Sequence, residues 1–402
     1  MRRLLVLLAL GMIAATMAGC GAGFPLPTES RRPIPSDKSY QMVATWTGMD
    51  GIRDILLTQG GGTQLFLVFN QGGVGYAPRG NVGVYARLKP TGPQNAIPGI
   101  AFNQLFNPAA VAVGGDGGGA AGNRVFVLDQ GDTLLARVNP LTHQYGDTTG
   151  ITTVLVGKWA INQVSDLASY WHVREYGLLG GDTLSALTDT SMAFVNGIAA
   201  DSQGRVYVSG AAELYVPDPI DPHITTRAFV WQIRRYLRGP KYPGIYDRYM
   251  PGSNWHRDTT WIVGEGSGTG TTQDPRGIFW SPFGGGAVYT SDFGKNWVQK
   301  LSDQTASTGL LSIDGSTSPG GLLLSGPVDV TVDLKGFIYL VDSGNQRVLR
   351  YDGSGTYVQD VNVELDAFRH ALQSPACVAA DDSLVFVGDP GLREVIRYKR
   401  RP

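Results

Sequence analysis

The feature that most constrains this sequence is a unit near its C-terminal end that occurs more than once. Gly326-Pro327-Val328-Asp329-Val330-Thr331-Val332-Asp333 is followed by Leu334-Lys335-Gly336 and then by Phe337-Ile338-Tyr339-Leu340-Val341-Asp342. A turn at Ser343-Gly344-Asn345-Gln346 leads into Arg347-Val348-Leu349-Arg350-Tyr351-Asp352. Three short runs of β-branched and aromatic residues are thus separated by Gly, Asn and Asp turns, which is the pattern of three short strands. The next stretch repeats it, with Ser374-Pro375-Ala376-Cys377-Val378-Ala379-Ala380-Asp381, then Leu384-Val385-Phe386-Val387-Gly388-Asp389, then Arg393-Glu394-Val395-Ile396-Arg397-Tyr398. One such unit cannot bury its apolar faces alone, so neighbouring copies must stack. Looser copies start at Ile52, Asn107, Asn196 and Asp274, each with a second run after it: Gln64–Val68, Arg124–Asp129, Gly204–Val208 and Ala287–Asp292.

The last two units resemble NHL repeats, the blade sequences of one kind of β-propeller. The resemblance runs over roughly residues 40 to 400, strong at the C-terminal end and weak at the start. It implies an all-β, six-bladed β-propeller of NHL type, one blade per inner strand. A seventh blade would fit only in the gap between 140 and 190. Gly supplies 55 of 402 residues and charged residues 17%; Gly is about twice its usual ~7% share, as a turn-rich β body requires. The chain stops just after the third strand of the last unit, which would leave an open sheet edge. Tyr40-Gln41-Met42-Val43-Ala44-Thr45-Trp46 is strand-like and precedes the first inner strand, so it is expected to close the ring as the fourth strand of the last blade. Residues 39–402 form the expected propeller, with insertions at about 141–190 and 211–262. The first insertion holds a strand at Thr152–Val156 and a mixed stretch from Ile161 to Tyr176 read as a short helix.

The N-terminus sets the expected compartment. Met1-Arg2-Arg3 precedes an apolar run from Leu4 to Leu10, continued by Met12-Ile13, and small residues lead to Met17-Ala18-Gly19-Cys20. This is the layout of a secretory signal, and its apolar run is short of the ~20 residues of a permanent span. Met-Ala-Gly-Cys resembles the lipobox of bacterial lipoproteins. That resemblance implies a signal peptide at 1–19, a lipid on the Cys20 thiol, and export to the cell envelope. Gly21 in place of Asp favours the outer membrane if the cell has one. Residues 20–38, with Pro25, Pro27, Pro33 and Pro35, read as the lipidated cysteine and a flexible tether. Cys377 is the only other cysteine, so a lipidated Cys20 leaves no intrachain disulfide. Net charge is −1, and loss of Arg2 and Arg3 with the signal takes it to −3. Nucleic acid is excluded as a partner class, because its binders carry a basic patch or stripe.

Alignment of the units places equivalent residues in rings about the propeller axis. One ring is Arg53, Ala109, Asn196, Arg276, Val328 and Ala376, and the adjacent one is Asp54, Ala110, Gly197, Gly277, Asp329 and Cys377. In NHL-like propellers these positions lie near one channel mouth. Arg53, Asp54, Asn196, Arg276 and Asp329 are therefore the candidate ligand-binding residues at the channel mouth. The plain structural alternative has the arginines and aspartates pairing with one another across the channel. Asp54, Asn196 and Asp329 are the only oxygen donors offered to a metal such as Ca²⁺, and no glutamate joins them. No cofactor and no metal site is expected.

Other constellations read as architecture. Asp129, Asp292, Asp342 and Asp389 recur at the end of the middle strand, where a carboxylate accepts turn N–H groups. Thr290-Ser291-Asp292-Phe293-Gly294-Lys295-Asn296-Trp297 fits the Ser/Thr-x-Asp-x-Gly-x-x-Trp pattern of the Asp-box, a hairpin of other propellers. His143, His172, His223, His256 and His370 stand apart, without zinc-ligand spacing. Trp171, Tyr176, Trp255 and Trp261 read as pins holding the insertions to the blades, with a sugar or peptide platform as the rival. The expected function is a membrane-anchored binding module for a protein or small-molecule ligand on a propeller face. The alternative is a metal-assisted lyase or hydrolase at the channel mouth; no catalytic residue is assigned, and spacing supports no nucleophile arrangement.

Overall fold

The computed structural model describes residues 40–57, 64–70, 80–86, 101–102, 105, 107–115, 124–130, 171–177, 180–187, 189, 191–217, 225–239, 255–305, 308–362 and 371–401. Cys20, the signal segment, the tether and Thr152–Val156 lie outside the described residues. Lys38–Pro402 is one compact unit.

In chain order the first strand is β1 (Tyr40–Thr47). A three-stranded sheet follows: β2 (Ile52–Leu57), β3 (Gln64–Asn70) and β4 (Gly80–Ala86). The next sheet holds β5 (Ala101–Phe102), β6 (Pro108–Gly114), β7 (Arg124–Asp129), β8 (His172–Gly177) and β9 (Gly180–Leu187), in the order β5-β9-β8-β7-β6. Then come β10 (Met192–Ala200), β11 (Val206–Pro217), β12 (Thr225–Arg238) and β13 (Trp255–Val263). They are followed by β14 (Pro275–Ser281), β15 (Ala287–Asp292), β16 (Trp297–Ser302) and β17 (Gly309–Ile313). The next four are β18 (Pro327–Val332), β19 (Ile338–Asp342), β20 (Arg347–Tyr351) and β21 (Tyr357–Asp360). The last sheet is β22 (Cys377–Ala380), β23 (Leu384–Asp389) and β24 (Glu394–Arg400), with β1 added outside β24. The fold is all-β with a propeller arrangement of five full blades beside the three-stranded sheet.

The innermost strands touch in a closed cycle, β2 to β6, β10, β14, β18, β22 and back to β2. Between each neighbouring pair of sheets lies one apolar layer. Leu340 and Tyr351 pack with Tyr289 and Val298 in one, and Val68 and Phe66 pack with Val125 and Tyr176 in another. Middle strands have such a layer on both faces, which is why β15, β19 and β23 are buried at every position and carry continuous apolar runs. Outer strands have one face in water, so β1 alternates Tyr40 in, Gln41 out, Met42 partly in, Val43 out. Tyr40 pairs with Arg400 and Thr47 with Glu394, so β1 covers the edge that the chain's end would expose.

Among the described residues, three middle strands end in the same turn, Asp-x-Gly-x-x: Asp292 to Asn296, Asp342 to Gln346 and Asp389 to Arg393. The last residue of each is left-handed, with φ of 55°, 53° and 59°. Each aspartate is fully buried and accepts backbone N–H groups from the segment feeding the inner strand of its own sheet. Asp342 Oδ1 accepts from Ser325 at 2.7 Å, and Asp389 accepts from Gln373 at 2.7 Å and Ser374 at 3.0 Å. Asp292 accepts from Asp274 at 3.0 Å. The glycine lets this segment approach: a Cβ on Gly344 would stand 2.4 Å from Ser325 Oγ. The recurring aspartates therefore fix where each inner strand starts, and so fix the mouth.

Two expectations change. His172–Tyr176, read as the end of a short helix, lies in strand β8, paired to β7 from Asp129–His172 to Arg124–Gly177. Within 211–262, the described residues are β11 to β13, strands of a blade.

Candidate functional site

All five sequence-chosen residues line one cavity of about 630 Å³, on β2, β10, β14 and β18. Below them the wall is apolar, with Ile55, Val111, Ile198, Ile278, Val330 and Val378 each taken from a different inner strand.

Asp54 and Asp329 do the same job in two sheets. Asp54 Oδ1 accepts from the Ile55 N–H and Oδ2 from Val111 on β6, both at 2.8 Å. Asp329 Oδ1 accepts from Val330 and Oδ2 from Val378 on β22, again at 2.8 Å. Each carboxyl bridges its own inner strand to the next one, accepting an N–H from that strand's inner edge, which has no neighbour in its own sheet. Gly277 makes room for this arrangement, since a Cβ there would stand 2.6 Å from Asp329 Oδ1. Burial pushes Asp54 up to about 7 against the two backbone N–H bonds. Burial, and then the charge of Asp54, pushes Asp329 well above the usual carboxylate range. Cys377, on β22 between them, is buried beside Ile52 and Ile55. Burial and the two aspartates raise its thiol as well.

The arginines do not pair with these aspartates. Arg276 is held by Asp274, with Nε at 2.9 Å from Oδ1 and Nη2 at 2.7 Å from Oδ2, and its guanidinium lies 4.8 Å over the Phe293 ring. Asn196 donates to the Pro275 carbonyl at 2.8 Å and reaches Asp274 Oδ1 at 3.5 Å. Arg53 is exposed at the mouth and donates to the Gln130 amide oxygen at 3.1 Å, while Gln130 donates in turn to the Val195 carbonyl at 2.9 Å. No acidic partner of Arg53 occurs among the described residues. The expected cross-channel Arg–Asp pairing is thus replaced by two separate systems, carboxyls bonded to backbone and guanidinium groups at the rim.

Gln130, Asp274 and Phe293 were not among the sequence-chosen residues. Gln130 and Phe293 each follow a middle-strand aspartate, and that repeated position is the signal that could have found them. The three weak metal candidates, Asp54, Asn196 and Asp329, all line the cavity. Each carboxylate oxygen already accepts a backbone N–H and the Asn196 amide nitrogen is turned to a carbonyl. No group of three His, Cys, Asp or Glu that could hold a metal occurs among the described residues. Trp171, Tyr176, Trp255 and Trp261 are all buried, so they pin strands and offer no platform. Trp171 donates to the Met192 carbonyl at 3.1 Å, and Trp261 meets Tyr207 edge-on at 5.0 Å. No helix among the described residues is long and apolar enough to cross a membrane. No protein-family model matches the chain, and no curated protein matches it in sequence.

Proposed function

We propose that this chain is a cell-envelope lipoprotein, tethered through Cys20, whose propeller is a binding module with its ligand site at the channel mouth. The observation that carries the reading is convergence: polar side chains from four inner strands, spread from Arg53 to Asp329, line one cavity above an apolar wall. The signal-like N-terminus and Cys20 support export and lipid anchoring. The proposal also counts the three-stranded β2–β4 sheet as a sixth blade of NHL type; the closed cycle of six inner strands supports that count. Its partners are the membrane, through the lipid, and a ligand at the mouth.

A thermal-shift screen of small molecules on the wild-type chain and an Arg53→Ala/Arg276→Ala variant tests the site. A ligand at a hundredfold excess over its Kd stabilises the folded chain by about 2.7 kcal/mol. The shift is expected in the wild type and not in the variant, and a ligand that shifts both equally places binding elsewhere. Mass spectrometry of the chain from bacterial membranes tests the anchor: a diacylglycerol on Cys20, lost in Cys20→Ser, is expected, and an unmodified thiol in membrane-free fractions refutes it.

A further inference from the structure

The polar groups around the mouth differ in what they leave open. Both oxygens of Asp54 and of Asp329 take backbone N–H groups, and the Gln130 amide oxygen takes Arg53. The donors are not exhausted: a guanidinium carries five N–H bonds, Arg53 is assigned one of them, and Arg276 turns two toward Asp274 with its side chain 43% exposed. Leaving aside the buried Asp54 and Asp329, the rim carries one unbalanced positive charge. Asp274 cancels Arg276, whereas Arg53 faces a neutral amide. Beneath this donor-rich rim the wall is aliphatic on every inner strand.

We propose that the channel mouth takes a small organic anion, a carboxylate with an apolar body, its head group on Arg53 and Arg276 and its body down the channel. This rests on the channel-mouth reading above and names the chemical class of its ligand. A planar guanidinium matches a carboxylate through paired hydrogen bonds, and burial of the apolar body against Ile55, Ile198 and Val330 supplies the hydrophobic part of the affinity. A cation is disfavoured by Arg53, and both channel carboxyls are already bonded to backbone N–H groups. The two channel aspartates make binding pH-dependent. Asp54 acts on Asp329 across the channel, and both act on the buried Cys377, which Asp389 also faces. Below about 7 the Asp54 carboxyl is protonated and does not repel an anion, and above it the charge returns.

Isothermal titration of the purified chain with octanoate, octanamide and octylamine tests this. Octanoate is expected to bind, with the amide and the amine at least about tenfold weaker. Arg53→Gln is expected to lose about tenfold in octanoate affinity while leaving the melting temperature unchanged. Affinity is expected to fall between about pH 6 and about pH 8, where octanoate itself stays ionised, and Asp54→Asn should flatten that fall. Equal binding of octanamide or octylamine overturns the anion class, and so does octanoate binding that survives Arg53→Gln. Ala376→Trp, which fills the mouth, separates this failure from that of the site. If another class of molecule binds and Ala376→Trp blocks it, the anion inference falls alone; if the plug leaves that binding intact, the channel-mouth reading falls too.

Discussion

Replacing Trp46 by Ala tests how the ring is closed. Trp46 lies on β1, the strand added from the N-terminal side to the sheet that ends the chain. Its side chain is 2% exposed, and its ring meets Phe386 at 6.1 Å in the layer between β22–β24 and β2–β3. A Trp buries ~150–250 Å², which at ~25 cal/mol per Å² is about 4–6 kcal/mol; measured Trp→Ala losses in cores are about 3–5 kcal/mol. Unfolding entropy is about 2.1 cal/mol/K per residue, or about 0.77 kcal/mol/K over the roughly 365 residues from Lys38 to Pro402. A loss of about 3–5 kcal/mol then lowers Tm by about 4–7 °C. Val43→Ala is the control, because Val43 sits on the same strand but is 38% exposed, and such surface changes stay within about 0.5 kcal/mol. Calorimetry of the two variants should separate them by several degrees. Equal, small shifts would mean that β1 does not close the ring, and the reasoning from the exposed edge would be wrong.

Two further perturbations address the devices that place the mouth. Asp342→Asn removes the charge opposite the buried Arg347, 2.7 Å away, and weakens the anchor on Ser325, so a loss of about 3–5 kcal/mol is expected by urea denaturation. Asp352→Asn, in an exposed turn, should cost less than about 1 kcal/mol, and similar costs for the two would contradict the buried-clamp reading. The second concerns pH. Folded Asp54 holds its proton up to about 7, against an ordinary value of 3.8. Its contribution to stability is therefore complete below about pH 4 and is lost as pH rises through about 7. The stability difference between wild type and Asp54→Asn should move against the wild type over that range, and a difference independent of pH would refute the shift.

Much of the architecture could be read in the sequence because the middle strands are buried on both faces and end in an aspartate turn. Those two signals recur at Asp129, Asp292, Asp342 and Asp389. The register they imply also puts Arg53, Asp54, Asn196, Arg276 and Asp329 at the mouth. Where the aspartate oxygens point was not legible, because it depends on N–H groups on the unpaired inner edge of the next inner strand, at Val111 and Val378. Strand β8 was misread for a different reason. It carries Glu175, buried yet paired to Arg124 at 3.2 Å and to Arg238, so its polar residues broke the apolar alternation that marks a strand. Gln130 and Asp274 were missed because turn residues acquire their roles only from the strand that packs beside them.

The central claim is that the mouth formed by Arg53, Asn196 and Arg276 is where this chain binds its ligand. Native mass spectrometry of the chain purified from its own cells, beside an Ala109→Trp variant that fills the mouth, tests it most directly. The account predicts a small molecule bound to the wild type and missing from the folded variant. The same molecule retained by Ala109→Trp would contradict it.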